Sequence, residues 1–213
     1  MKIAVSYLKS KDDLEKTVQR IDKSMADYIH VDIMDGKFVL ENNNDLLRHI
    51  KALKDCQKKL DVHLMMQGIP LLKAIEAFSR LNPEYITVHV EIEELEEVIK
   101  FIQKKKIKIG LAINPDTYII KLRPYLKEIQ KIIVMSVYPG KGGQKFIEET
   151  PAKLKILKEI ISDNSYPIEL EVDGGINDQT ISLVNKIADT VVSGSFICLA
   201  EDIDTQIKKI KNA

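Results

Sequence analysis

The chain alternates short apolar runs with helix-patterned segments eight times over, and no other feature limits its fold so tightly. Runs at 3–5, 28–33, 60–64, 85–88, 107–113, 132–135, 168–172 and 190–192 have the length and apolar character of strands. Between and after them lie segments with apolar residues at helical spacing: 11–24 (Leu14, Val18, Ile21), 46–53, 70–78, 92–103 (Leu95, Val98, Ile99, Ile102), a stretch from about 118, 151–161 (Leu154, Leu157, Ile161), 178–187 and 203–210. Ser10 or Asp12 is the expected cap of the first helix. Pro70 suits the first turn of the third. Strict β/α alternation predicts parallel strands. Eight units predict an α/β chain forming a single (β/α)8 TIM barrel with eight parallel strands, and no composition shift or Pro/Ser-rich linker divides residues 1–213. A doubly wound open sheet is the alternative, but its Gly-x-Gly-x-x-Gly after the first strand is absent.

Charge narrows the partners. Lys plus Arg equals Asp plus Glu at 32 each, so the net basic surface that nucleic acid requires is not expected. Lys104-Lys105-Lys106 is local, and reads as a solvated helix end where cations favour the dipole. The two cysteines, Cys56 and Cys198, form no paired motif, which fits a reducing cytoplasm. No signal-peptide core or membrane-spanning run is seen, so a cytoplasmic protein without a membrane partner is expected.

Against that apolar scaffold, three strand ends are conspicuously polar. Residues 30–36 read His-Val-Asp-Ile-Met-Asp-Gly. Residues two apart on a strand share a face, so His30 and Asp32 point together while Val31 and Ile33 lie behind the sheet. Asp61-Val62-His63 and Glu171-Val172-Asp173-Gly174-Gly175 repeat the pattern on the third and seventh strands. In a closed barrel these ends meet at one mouth. His30, Asp32, His63 and Asp173 then form a mixed imidazole–carboxylate set suited to zinc, manganese or iron rather than calcium. Taken singly, His63 would be a core histidine and Asp173 a turn residue; the recurrence favours the metal.

Other strand-end loops suit an anionic ligand. Gly174-Gly175 and Gly194-Ser195 follow strands seven and eight, where barrels often hold phosphate, and glycine lets backbone N–H groups approach an anion. Ordinary strand-to-helix turns are the plain alternative. The loop Gly140-Lys141-Gly142-Gly143 is long and glycine-rich enough to close over a substrate. Met34, Met65 and Met135 sit near the mouth, where apolar packing is their plainest role. His49 falls on an expected surface helix and receives no role.

These residues together resemble the ribulose-phosphate 3-epimerase family along nearly the whole chain. The resemblance rests on Ser6, residues 30–36, Asp61-Val62-His63-Leu64-Met65, Thr87-Val88-His89, Asn114-Pro115, Met135-Ser136-Val137, Pro139-Gly140, Gly142-Gly143-Gln144, residues 171–175 and Gly194-Ser195. It implies interconversion of D-ribulose 5-phosphate and D-xylulose 5-phosphate in pentose phosphate metabolism, one divalent metal ion (Zn, Fe, Mn or Co), and a homo-oligomer (dimer or hexamer). It implies His30, Asp32, His63 and Asp173 as metal ligands and Asp32 and Asp173 as the acid/base pair, with Ser6 and His63 also touching substrate and Met34, Met65 and Met135 lining its floor. His89 matches a family position without a direct role at the metal. The chain departs from the family pattern at Val5, where proline is usual, at Leu40-Glu41-Asn42-Asn43-Asn44, and at Lys141, where an aromatic residue is usual. Lys141 is a candidate extra phosphate contact.

The chemistry accounts for the residue types. Inverting a carbon beside a ketone needs one group to remove a proton on one face and another to return one on the opposite face. The charge that develops on oxygen needs stabilising, which a Lewis acid supplies. Two rival readings stay open: a 3-epimerase of another ketose phosphate such as D-allulose 6-phosphate, and a non-catalytic sugar-phosphate-binding barrel.

Overall fold

The computed structural model describes residues 1–10 and 13–213. Eight parallel strands close in sequence order into a barrel: β1 (Lys2–Ser6), β2 (Tyr28–Met34), β3 (Lys59–Met65), β4 (Tyr85–His89), β5 (Lys108–Ile113), β6 (Lys131–Met135), β7 (Glu169–Asp173) and β8 (Thr190–Ser193), with β8 pairing β1. The (β/α)8 barrel expected from the alternation is what forms. The helices are α1 (Leu14–Asp22), α2 (Leu46–Leu53), α3 (Gly68–Ser79), α4 (Leu95–Lys104), α5 (Thr150–Asp163), α6 (Ser195–Cys198) and α7 (Ile203–Asn212).

Period-two alternation sorts each strand into an outer and an inner face. Outward residues such as Ile29, Val31, Ile33, Val62, Leu64, Val88, Leu111, Val134 and Val172 join one large apolar cluster with the helices. That burial drives the fold, at roughly 25 cal/mol per Å² of apolar surface removed from water. The inward face is different. Ala4, Tyr28, Tyr85 and Val192 form one small apolar cluster, Ala112, Ile133, Met135 and Val137 another, and Met34, Val39 and Met65 a third, with polar and charged side chains among them.

Local chemistry sets several element ends differently from the sequence expectation. The first helix is capped by Asp13, whose carboxylate accepts from the backbone N–H groups of Glu15 and Lys16, rather than by Ser10; Asp12 lies outside the described residues. Pro70 does sit in the first turn of α3. The helix expected from about 118 is a 3-10 segment, Ile119–Tyr125, with Pro124 inside it, whose missing N–H cannot extend an α-helical ladder. The helix expected at 178–187 shrinks to a 3-10 turn, Ile181–Leu183. There the Asn177 side chain accepts from the Gln179 and Thr180 backbone, and the Thr180 hydroxyl donates to the Gly175 carbonyl, so local side-chain bonds compete with the helix. Among the described residues no helix is long and apolar enough to cross a membrane.

Candidate active site

Strand register places the polar residues. β2 and β3 pair with Asp32 opposite His63 and His30 opposite Asp61, while β6 and β7 pair Met135 with Asp173. All face the barrel interior at its C-terminal end. His30 Nε2 lies 3.3 Å from Asp32 Oδ1 and 3.7 Å from Asp173 Oδ2. His63 Nδ1 lies 3.1 Å from Asp32 Oδ1 and 3.6 Å from Asp173 Oδ2. One donor atom from each residue falls within 4.8 Å of the other three, so the four sequence-expected residues form a cluster that could hold a metal ion. His30 Nε2 is buried, has no hydrogen-bond partner and aims into this cluster, which suits a ligand for a cation. Nitrogen and oxygen donors in this number suit a transition metal.

Electrostatics point the same way. Burial alone would depress both imidazoles, but Asp32 and Asp61 hold His30 well above its ordinary value, and Asp173 and Asp32 push His63 up to about 9. Burial opposes ionisation of Asp32, yet His30 and His63 hold its carboxyl well below the usual carboxylate range. The carboxylates thus demand positive charge between them. The Ser6 hydroxyl donates to Asp32 Oδ2 at 2.6 Å, so one oxygen is fixed at the mouth while the other faces the imidazoles.

Above the cluster opens a cleft of about 340 Å³. Of the sequence-expected residues, its lining includes Ser6, Asp32, Met65, Met135 and Asp173, together with the glycine loops after β6, β7 and β8. His30 and His63 do not line it; they are fully buried beneath the carboxylates. Met34 also lies outside the lining, packed with Met65 and Val39. Gly175 has φ +65°, and a Cβ there would come within 2.7 Å of the Phe146 backbone nitrogen, so the loop after β6 can seat on the β7 turn only over a glycine. Lys141 also lines the cleft, and its Nζ lies 3.5 Å from Glu41 Oε1. Two of the three departures from the family pattern are therefore in contact across the mouth.

Sequence reasoning overlooked the ion pairs that lie behind His30. His30 Nδ1 meets Asp61 Oδ2 at 2.9 Å. Lys131, fully buried, sets Nζ 3.0 Å from Asp61 Oδ2, 2.5 Å from Glu171 Oε2 and 3.3 Å from Glu169 Oε1, over the rings of Tyr28 and Tyr85. The signal was present: Asp61 and Glu171 lie two residues before His63 and Asp173, hence on the same faces. His49 is also corrected. It is 6% exposed, between the Tyr7 hydroxyl at 2.9 Å and the Asn43 carbonyl at 3.0 Å, because it stands one helical turn before buried Leu53 on the inner face of α2.

Comparison with known proteins identifies the chain's kin. Residues 2–198 match the family described as the ribulose-phosphate 3 epimerase family. The ribulose-phosphate 3-epimerase of Helicobacter pylori strain J99 is 36% identical, covering 100% of this chain and 97% of that protein. That of Methanocaldococcus jannaschii is 32% identical over 100% of this chain and 91% of that protein. Among solved structures, 3-hexulose-6-phosphate synthase from Salmonella typhimurium superposes with a TM-score of 0.71, covering 100% of this chain and 97% of that one; its 18% identity speaks to the fold alone. The match along nearly the whole chain and full-length relatives above 30% identity settle the kinship: this chain is an enzyme of the ribulose-phosphate 3-epimerase family.

Proposed function

We propose that the chain interconverts D-ribulose 5-phosphate and D-xylulose 5-phosphate by moving a proton at C3, with Asp32 and Asp173 as the two acid/base groups. The observation that carries this reading is the double exposure of these carboxylates. Both line the cleft, and both also converge with His30 Nε2 and His63 Nδ1 beneath it. One carboxylate takes the C3 proton from one face of the sugar; the other returns a proton to the opposite face. Ser6 holds Asp32 in place for this task. His30, Asp32, His63 and Asp173 would hold the ion, drawn from Zn, Fe, Mn or Co. When bound, a divalent ion supplies Lewis-acid stabilisation of the charge that develops on the ketone oxygen. Met65 and Met135 give the sugar an apolar floor, and backbone N–H groups of Gly174-Gly175 and Gly194-Ser195 receive the phosphate. The loop 140–143 covers the bound sugar and excludes water. Residues 1–213 act as one barrel domain in this reading.

The test is incubation with D-ribulose 5-phosphate in D₂O, followed by NMR, with and without a chelator. Deuterium is expected at C3 together with xylulose 5-phosphate, and both should fade on chelation. Asp32→Asn and Asp173→Asn should each lower kcat by about 10²–10⁴-fold. Folded, metal-supplemented protein that exchanges no C3 proton would overturn the proposal. Activity confined to D-allulose 6-phosphate in a parallel arm would reassign the substrate, and sugar binding without exchange would leave a non-catalytic barrel.

A further inference from the structure

Two sequence features with no part in the chemistry so far, His89 and Asn114, meet at one carboxylate. His63 Nδ1 faces the cluster, and its Nε2 points away to His89 Nε2 at 2.9 Å. His89 Nδ1 lies 3.2 Å from Glu91 Oε2, and the other oxygen of Glu91 accepts the Asn114 backbone N–H at 2.9 Å. Both imidazoles are fully buried. Two ring nitrogens facing each other at hydrogen-bond distance share one proton: one donates and the other accepts. If His89 donates, its Nδ1 turns a lone pair toward the carboxylate of Glu91, and His63 is left with its proton on Nδ1, where a ligand atom is needed. If His63 donates, every contact is complementary. His63 Nε2–H donates to His89 Nε2, His89 Nδ1–H donates to Glu91, and the Nδ1 lone pair of His63 faces the cluster.

We propose that Glu91 is a positioning residue that acts through His89 to hold His63 in the tautomer whose Nδ1 can ligate a metal. This rests on the metal reading of the cluster. Glu91 itself reaches neither metal nor substrate; it sets the direction of a two-imidazole relay, and the Asn114 amide fixes the carboxylate that sets it. Ligating histidines elsewhere depend in the same way on the partner of their second nitrogen. Here the partner is another histidine, so the choice is made one ring further out.

The test uses Zn²⁺ alone as probe, with its affinity measured by competition against a chelating dye and histidine ¹⁵N shifts read by NMR. In the wild type, bound zinc should be on His63 Nδ1, with the proton on Nε2. Glu91→Gln keeps an oxygen for the Asn114 N–H and turns an NH₂ group to His89, reversing the relay. Zinc affinity should fall about 10–100-fold, with the His63 ¹⁵N pattern altered and the thermal midpoint of the zinc-free protein near that of the wild type. Glu91→Asp, which keeps the charge, should recover part of the affinity. His89→Phe, which removes the acceptor without opening a cavity, should show the same loss even if Glu91→Gln fails to fold. Zinc binding within about twofold of the wild type in these variants, or ligation through His63 Nε2, overturns the relay alone, since removing a group that orients a ligating histidine costs about 10–100-fold. A wild type that takes up no zinc overturns the metal reading and the relay with it.

Discussion

Two acid-rich clusters lie one above the other inside this barrel, sharing strands β3 and β7 and differing in what neutralises them. The lower one carries its own cation: Lys131 stands between Asp61 and Glu171, with Glu169 alongside. The upper one has His30 and His63 between Asp32 and Asp173, and no lysine or arginine forms an ion pair with either carboxylate among the described residues. His30, Asp61 and Glu171 by themselves also have the spacing of a metal site, but the Lys131 ammonium already bonds both carboxylates of that set. The contrast teaches that carboxylate convergence alone does not identify a metal centre. What identifies one is convergence left without a fixed side-chain cation and facing a cleft.

That contrast can be broken most directly at Lys131. Lys131→Met leaves Asp61 and Glu171 without their shared cation, and should cost about 3–5 kcal/mol of stability in urea unfolding. Adding Glu171→Leu should restore much of it, because buried ion pairs replaced by apolar residues of similar volume are often neutral or better. A single variant as stable as the wild type would show that Lys131 does not complete the lower cluster.

A smaller effect sharpens the upper half. Asp173 and Asp32 raise His63 from 6.5 to about 9, against burial, in the protein without a divalent ion. A raised folded-state value means the folded protein holds that proton more tightly than the unfolded chain. The stabilisation is full below about pH 6.5 and is lost as pH rises through 9. Thermal midpoints of chelator-treated protein should therefore decline across that window, and saturation with zinc should flatten the decline. Identical slopes with and without zinc would separate His63 from the ion site.

The smallest effect is expected at the rim, where the Lys141–Glu41 pair lies largely in water. Glu41→Ala should change stability by less than about 1 kcal/mol, since exposed pairs are screened. A larger loss would mean that the mouth loops are held together as firmly as the buried clusters, erasing the distinction between rim and interior.

The upper cluster was legible in the sequence because a histidine or aspartate in an otherwise apolar strand contradicts burial, and alternation tells which way it points. His30, Asp32, His63 and Asp173 came from that contradiction, and the structure brings all four together. The lower cluster was equally marked at Asp61 and Glu171, but Lys131 stands just before the apolar run 132–135, where no local pattern singles it out. Its burial depends on β3 and β7 closing around it, a fact about non-adjacent strands that no local pattern carries. The barrel followed from strict alternation, whereas the 3-10 segments after β5 and β7 did not. There Pro124 and the Asn177–Thr180 side-chain bonds override a helical spacing of apolar residues. His49 was misplaced because α2 is short, and its buried face is read only when Leu53 is counted with it.

Lys131 has a further consequence for how the chain reaches this state. Its carboxylate partners come from β3 and β7, strands distant along the sequence. A half-assembled barrel that enclosed β6 before β7 arrived would hold an ammonium with incomplete neutralisation, and one that enclosed β3 without β6 would leave Asp61 with His30 but without its ammonium partner. Burying either incompletely compensated charge is costly enough to depopulate such forms. The interior ion cluster thus penalises partial closure, favouring an all-or-none assembly in which the last strand to dock completes both the sheet and its charge balance.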